Sequence, residues 1–308
     1  MANVLKTLIT AKKETTYGTA ATLTGSEAIL VSNPQIRPMN ARTVSRENVR
    51  PYFGNFQKLI TGQNVECSFD VEAAGSGAAG TAPKFSDLLL ASGMAVTLTA
   101  SVKATYKPVS GTFDAVTIGY NIDGIYHLIT GARGSVRLAF EAGGIPKLSF
   151  TFQGIYNAPT DTAAVVPVYT GFQTPRAVTI PNTPTLALHG VSSPTRSVSI
   201  DLANQLAFRS LPGGSEQVLI TGRQPQGSMT IERGTIAAKA WEATVVAGTL
   251  GALSVIHGTV AGNIVECAAA GVGLSQLAYG QTDNILEMTL GLEFQPTTGN
   301  DEIELIFR

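Results

Sequence analysis

The sequence predicts a mainly β protein made of two related β-sandwich or barrel-type domains, each with one short helix. Three observations lead there. Short runs rich in Val, Ile, Thr and Phe alternate apolar with polar residues between Gly, Pro, Asn and Asp punctuation. Stretches with helical spacing are few. A four-residue segment also recurs together with the strand pattern that follows it.

The clearest strand runs from Val65 to Ala73. Val65, Cys67, Phe69, Val71 and Ala73 fall on one face, and Glu66, Ser68, Asp70 and Glu72 fall on the other. Three further strands divide in the same way. Ser149, Thr151 and Gln153 alternate with Leu148, Phe150 and Phe152. Ser228, Thr230 and Glu232 alternate with Met229 and Ile231, and Glu287, Thr289 and Glu293 with Met288, Leu290 and Leu292. Two segments have helical spacing: Lys84 to Ala91 with Phe85, Leu88 and Leu89 on one side, and Ile236 to Val246 around Trp241 and Val245.

The repeat is Leu59-Ile60-Thr61-Gly62 and Leu219-Ile220-Thr221-Gly222. At one common offset, Ser68-Phe69-Asp70-Val71-Glu72 then matches Ser228-Met229-Thr230-Ile231-Glu232, with the alternation in phase. A second pair closes each half, Leu148 to Phe152 against Met288 to Leu292. Strand, helix and strands in the same order point to duplication. The expected division is a first β-domain over 1–160, a Pro-rich linker over 161–194, and a second β-domain over 195–308. A short strand from Thr185 to His189 fits within the linker.

Composition narrows the function. Charged residues make up 14% of the 308-residue chain, against about 25% in an average soluble protein, so much of the surface is expected to face something other than water. A formal net charge of −1 argues against a protein that grips nucleic acid. No apolar run approaches the roughly 18–20 residues of a membrane span, and the start is expected to be no signal peptide. Cys67 and Cys267 read as small apolar strand residues, reduced and inert.

Catalytic signals are missing too. His127, His189 and His257 have no second ligand at metal spacing. Gly131-Ala132-Arg133-Gly134 lacks the Lys-Ser/Thr ending of a phosphate loop, and no nucleophile elbow exists. The expectation is a non-enzymatic protein with no cofactor and no metal.

The four polar strand faces are expected to form one mildly acidic sheet surface; an ordinary solvated face is the plainer reading. From Asn33 to Lys58 the sequence shows no good alternation and carries Arg37, Arg42, Arg46 and Arg50, with Tyr52, Phe53 and Phe56 near its end. The shorter stretch from Asn204 to Val218 holds Phe208 and Arg209 at a similar place. Both read as arms that reach a neighbouring subunit, with arginines and aromatics as anchors.

Thr15-Thr16-Tyr17-Gly18-Thr19 followed by Leu30-Val31-Ser32-Asn33-Pro34, and Gly131-Ala132-Arg133-Gly134 followed by Glu141 to Lys147 and Gly154 to Thr160, resemble phage tail tube (major tail) proteins. The resemblance covers mainly the first 160 residues. It implies a β-sandwich with a flanking helix, whose sheets close into a ring on oligomerisation and whose rings stack into a hollow conduit for DNA and the tape measure protein. The polar residues named above would then face the lumen. A duplicated chain implies three copies in a pseudo-sixfold ring, or six copies with the second half outside. Tail terminator and initiator proteins would be partners, DNA would be present only in transit, and the virion would be assembled in the host cytoplasm without a membrane. The rival reading is an adhesion or binding module of a tail tip or baseplate.

Overall fold

The computed structural model describes residues 2–308 and is mainly β. In the first half run β1 (Thr7–Lys13), β2 (Ala28–Ile29), β3 (Ser32–Ser45), β4 (Lys58–Glu72), α1 (Ser86–Ala91), β5 (Met94–Thr99), β6 (Lys103–Pro108), β7 (Val116–Ile122), β8 (Ile125–Glu141), β9 (Lys147–Tyr156) and β10 (Thr160–Asp161). Then follow β11 (Thr185–Leu188), β12 (Thr195–Asp201), β13 (Asn204–Arg209), β14 (Gln217–Arg223), β15 (Gln226–Glu232), α2 (Trp241–Ala247), β16 (Gly251–His257), β17 (Val265–Thr282), β18 (Ile285–Phe294) and β19 (Glu304–Phe307).

One layer is the antiparallel series β3-β4-β9-β8-β12-β15-β18-β17. The other is β5-β6-β19-β17-β16-β11. Strand β17 serves both, because bulges in its pairings with β16 and β18 let a strand this long change layers. The first part of β8 pairs instead with β7, which pairs with β1. Val136, Leu138, Leu148 and Ile200 of the first layer meet Met94, Cys267 and Leu305 of the second. The buried cluster runs without a break from Ile9 to Phe307, so both halves contribute to one core. Phe307 packs edge-on against Phe85 and Tyr106, tying the end of the chain to α1 and β6.

The repeat has a structural meaning. Arg42 pairs with Gly62 and Thr43 with Ile60, which leaves Thr61 bulged; Gln205 pairs with Gly222 and Leu206 with Ile220, which leaves Thr221 bulged. Each threonine hydroxyl donates to the carbonyl of the strand opposite at 3.2 Å, Thr61 to Arg42 and Thr221 to Gln205. Equal sequence produces equal bulges because a threonine hydroxyl can satisfy the carbonyl that the interrupted ladder leaves free.

Three expectations change. The segment from Asn33 to Lys58 is not irregular over most of its length: it contains β3, and only residues 46–57 form a loop. Alternation is absent there because β3 pairs with β4 alone and much of it is solvated on both faces. The helices start later than their spacing suggested, at Ser86 and Trp241. The Asn204 to Val218 stretch contains all of β13 and the start of β14.

Candidate functional site: a polar sheet face and a projecting hairpin

Strand pairing places the selected polar side chains on one side of the first layer. Asp70 aligns with Ser149, Ser149 with Arg137, Arg137 with Asp201, Asp201 with Gln226, and Gln226 with Glu293. The neighbouring row runs Glu72, Lys147, Ala139, Ser199, Ser228. Ser68 lies opposite Thr151, Glu66 opposite Gln153, Thr230 opposite Thr289, and Glu232 opposite Glu287. The intervening residues are the core aromatics and aliphatics, so the period of two separates a buried side from an open one.

The open face is partly cross-linked. Asp70 accepts from Ser149 Oγ at 2.6 Å and from Asn33 Nδ2 at 2.9 Å. Glu66 accepts from Arg37 Nη1 at 3.2 Å and Asn40 Nδ2 at 3.1 Å, and Glu287 from Arg196 Nη1 at 3.1 Å. The hydroxyls of Thr230 and Thr289 pair at 3.0 Å, as do those of Ser199 and Ser228. Glu232 and Glu293 are exposed and have no side-chain partner among the described residues.

Sequence reasoning missed several members of this face. Arg137, Lys147, Glu141 and Asp201 all lie on it, the last two because β8 and β12 pair across the halves. The alternation of Ser197, Ser199 and Asp201 with Val198 and Ile200 was a readable signal for β12. Arg137 and Lys147 place positive charge among the acids, so the face is mixed, with carboxylates in the majority.

The distal half of the β3–β4 hairpin carries most of the residues expected to form an arm. Arg50 stacks over the rings of Tyr52 and Phe56, at 4.8 Å and 4.1 Å from their centroids. Val49, Tyr52 and Phe53 point into solvent, as do Val44, Leu59 and Ile60 along the ribbon, and Arg46 is exposed. Arg37 and Arg42 are engaged within the chain, Arg37 with Glu66 and Arg42 Nη2 with the Phe208 carbonyl at 3.3 Å. Phe208 corrects its expected role: at 5% exposure it is an internal anchor and cannot reach a neighbour, whereas Arg209 beside it is exposed. The β13–β14 hairpin is therefore folded against its own chain where β3–β4 projects.

Two motifs distant in sequence meet behind this hairpin. Tyr17 Oη donates to the Gly131 carbonyl at 3.1 Å and accepts from the Val218 N–H at 2.6 Å. The Arg133 guanidinium lies 4.6 Å from the Tyr17 ring centroid and donates to the carbonyls of Phe113, Asp114 and Val218. Buried Glu14 accepts from Gly131 N at 2.7 Å and Thr117 Oγ1 at 2.8 Å. Burial pushes the Tyr17 hydroxyl above its ordinary pKa, which keeps it protonated as donor. Gly131 has φ +58°, and a Cβ there would stand 2.8 Å from the Tyr17 ring.

Burial also pushes the Cys67 and Cys267 thiols up to about 12, so neither is a nucleophile. Among the described residues no group of His, Cys, Asp and Glu is arranged to hold a metal, and no helix is long and apolar enough to cross a membrane.

A family model for phage tail tube proteins matches residues 5–303, nearly the whole chain. The chain belongs to the phage tail tube protein family. As a tail tube protein it is a structural component of the phage tail, in a family whose members assemble with themselves into a tube. No curated protein matches it. The match extends over both halves, well past the segments on which the resemblance to tail tube proteins rested.

Proposed function

We propose that the polar face of the first layer lines the bore of a tail tube through which DNA and the tape measure protein pass during genome ejection. The observation that carries this is that one face, mainly acidic and hydroxylated, continues from β3 to β18 through both halves while the buried core residues of β4, β9, β8, β12, β15 and β18 lie behind it. Carboxylates at the wall disfavour phosphate, and among the described residues of this face the cations are outnumbered by carboxylates, so few counterions would be released to bind DNA tightly. At physiological salt the repulsion reaches only about 8 Å, so the wall acts on DNA that touches it.

In this reading the protein is non-enzymatic. The two halves, 1–160 and 195–308 joined through 161–194, act as related ring units, and three copies make a pseudo-sixfold ring. Apolar residues of the β3–β4 arm, with Arg46 and Arg50, contact the next ring, and terminator and initiator proteins cap a stack assembled in the host cytoplasm.

Negative-stain electron microscopy of the purified chain at rising concentration, with mass photometry, tests this. Hollow rings of trimer mass that stack are the expected result. Rings of six chains would overturn the pseudo-sixfold arrangement. Compact monomers that bind a host glycan would favour the adhesion-module reading instead.

A further inference from the structure

The first layer has an internal order that repeats. Its first four strands, β3-β4-β9-β8, correspond in order to its last four, β12-β15-β18-β17, and two of the four pairs also correspond in sequence. Strand β4 matches β15 at one offset and β9 matches β18 at another, and at the first offset the Thr61 bulge of β4 corresponds to the Thr221 bulge of β14, the strand just before β15 and outside this layer. The halves meet where β8 pairs with β12. At the two ends of the layer stand the counterparts of these strands, β3 and the second part of β17, and both are open edges. The closed seam inside the chain and the two open edges are thus the same pair of strands, once joined and once apart.

We infer that β17 of one copy takes β3 of the next copy in the register that β8 and β12 use inside the chain. This rests on the tube reading and goes beyond it by assigning the junction and its pairing. Inside the chain Ser199 faces Ala139, Ile200 faces Leu138 and Asp201 faces Arg137. Ser199, Ile200 and Asp201 pair with Ser228, Gly227 and Gln226, whose counterparts Ser68, Cys67 and Glu66 pair with Gln35, Ile36 and Arg37. Leu138 pairs with Leu148, whose counterpart Met288 pairs with Tyr279. The junction therefore sets Gln35 against Gly280, Ile36 against Tyr279, and Arg37 against Ala278.

Burial agrees with a missing neighbour. Leu138 and Ile200 are 5% and 4% exposed at the internal seam, while Tyr279, on the core side of the edge, is 61% exposed. Ile285 and Leu286 beside it are exposed as well. The polar face would continue across the junction, since Arg37 stands on the same side as Glu66.

The edge is also guarded. Leu202 N donates to the Val136 carbonyl at 3.0 Å, so antiparallel alternation directs the N–H groups of Val198, Ile200 and Leu202 at β8. On β3 the counterpart of Ile200 is Ile36, and the residues two before and two after it are Pro34 and Pro38, which stand at irregularities of the β3–β4 pairing and have no N–H to give. Only Ile36 can donate there. The external junction is weaker than the internal one and resists indiscriminate pairing of free chains, as edge strands in soluble proteins must.

Paired cysteines test the register. Arg37 and Ala278 would form a non-hydrogen-bonded pair, whose Cα atoms lie about 4.5 Å apart, within disulfide reach. Arg37→Cys with Ala278→Cys, oxidised under conditions that give tubes, should run as a ladder of covalent multimers on a non-reducing gel. Arg37→Cys with Gly280→Cys, two residues out of register on the same face, should stay monomeric. Gln35→Cys with Gly280→Cys should restore the ladder without touching Arg37. Tubes visible by microscopy with no ladder from either in-register pair, or a ladder from the offset pair alone, would overturn the register and leave the tube reading standing. Chains that remain monomeric at every concentration, with no cross-link in any variant, would overturn both.

Discussion

Tyr17 accepts the Val218 N–H at 2.6 Å, and so joins the N-terminal loop of the first half to the folded hairpin of the second. The same hydroxyl donates to Gly131. Tyr17→Phe keeps the ring under Arg133 but leaves the buried Val218 amide without its acceptor. An unpaired buried donor costs about 1–3 kcal/mol. Chemical denaturation should show a loss in that range, with the β-rich circular dichroism spectrum unchanged.

Arg223 and Glu302 form a nearly buried pair, with Nη2 to Oε1 at 3.0 Å and 12% and 9% of the side chains exposed. Arg223 also donates to the carbonyls of Val109 and Asn300 side-chain oxygen, so it binds the end of β14 to the segment before β19. Removing one member of such a pair costs about 3–5 kcal/mol because the other charge stays buried. Arg223→Ala should lower the denaturation midpoint strongly, and Arg223→Met with Glu302→Leu should recover much of the loss.

His257 is buried, with Nε2 at 3.0 Å from the Arg176 carbonyl and Nδ1 at 2.9 Å from Thr183 Oγ1. Burial lowers its pKa below the ordinary 6.5. Below that value the unfolded chain takes up the proton more readily than the folded one, so stability falls as pH falls from 6.5 toward the folded pKa. His257→Gln, compared with the parent by urea titration across this window, should flatten the pH dependence. An equally steep profile would assign it to other groups.

Glu232 and Glu293 are exposed carboxylates of the polar face that hold no side-chain partner among the described residues. Glu232→Lys with Glu293→Lys should leave folding and tube formation intact, because neither side chain is buried. Phage carrying both changes should eject DNA slowly or incompletely, read as a drop in plating with normal particle counts. Normal ejection would place these residues away from the bore.

The loop over residues 46–57 carries exposed Val49, Tyr52 and Phe53, supported by Arg50 stacked on Tyr52 and Phe56. Replacing it with Asn-Gly should close β3 onto β4 with a tight turn and leave a folded chain. Such chains should form rings that do not stack. Tubes of normal length in the microscope would remove the arm from ring-to-ring contact.

What the sequence alone determined is the local chemistry. In β4, β9, β15 and β18 every second side chain is apolar, and that period states which side is buried without knowing the neighbouring strand. The repeated Leu-Ile-Thr-Gly carried its bulge with it, since the bulge depends on the threonine hydroxyl beside it. What only the tertiary structure decided is partnership. Strand β3 has no clear alternation because most of it has no buried side, so its pairing with β4 left no periodic trace. That β8 pairs with β12, bringing Arg137, Lys147, Glu141 and Asp201 into one face, depends on chain closure over the Pro-rich segment. Phe208 looked like a surface anchor for the same reason: an aromatic in a short arm reads alike whether it waits for another chain or packs into its own. Burial against distant residues is a property of the folded chain, and no local period encodes it.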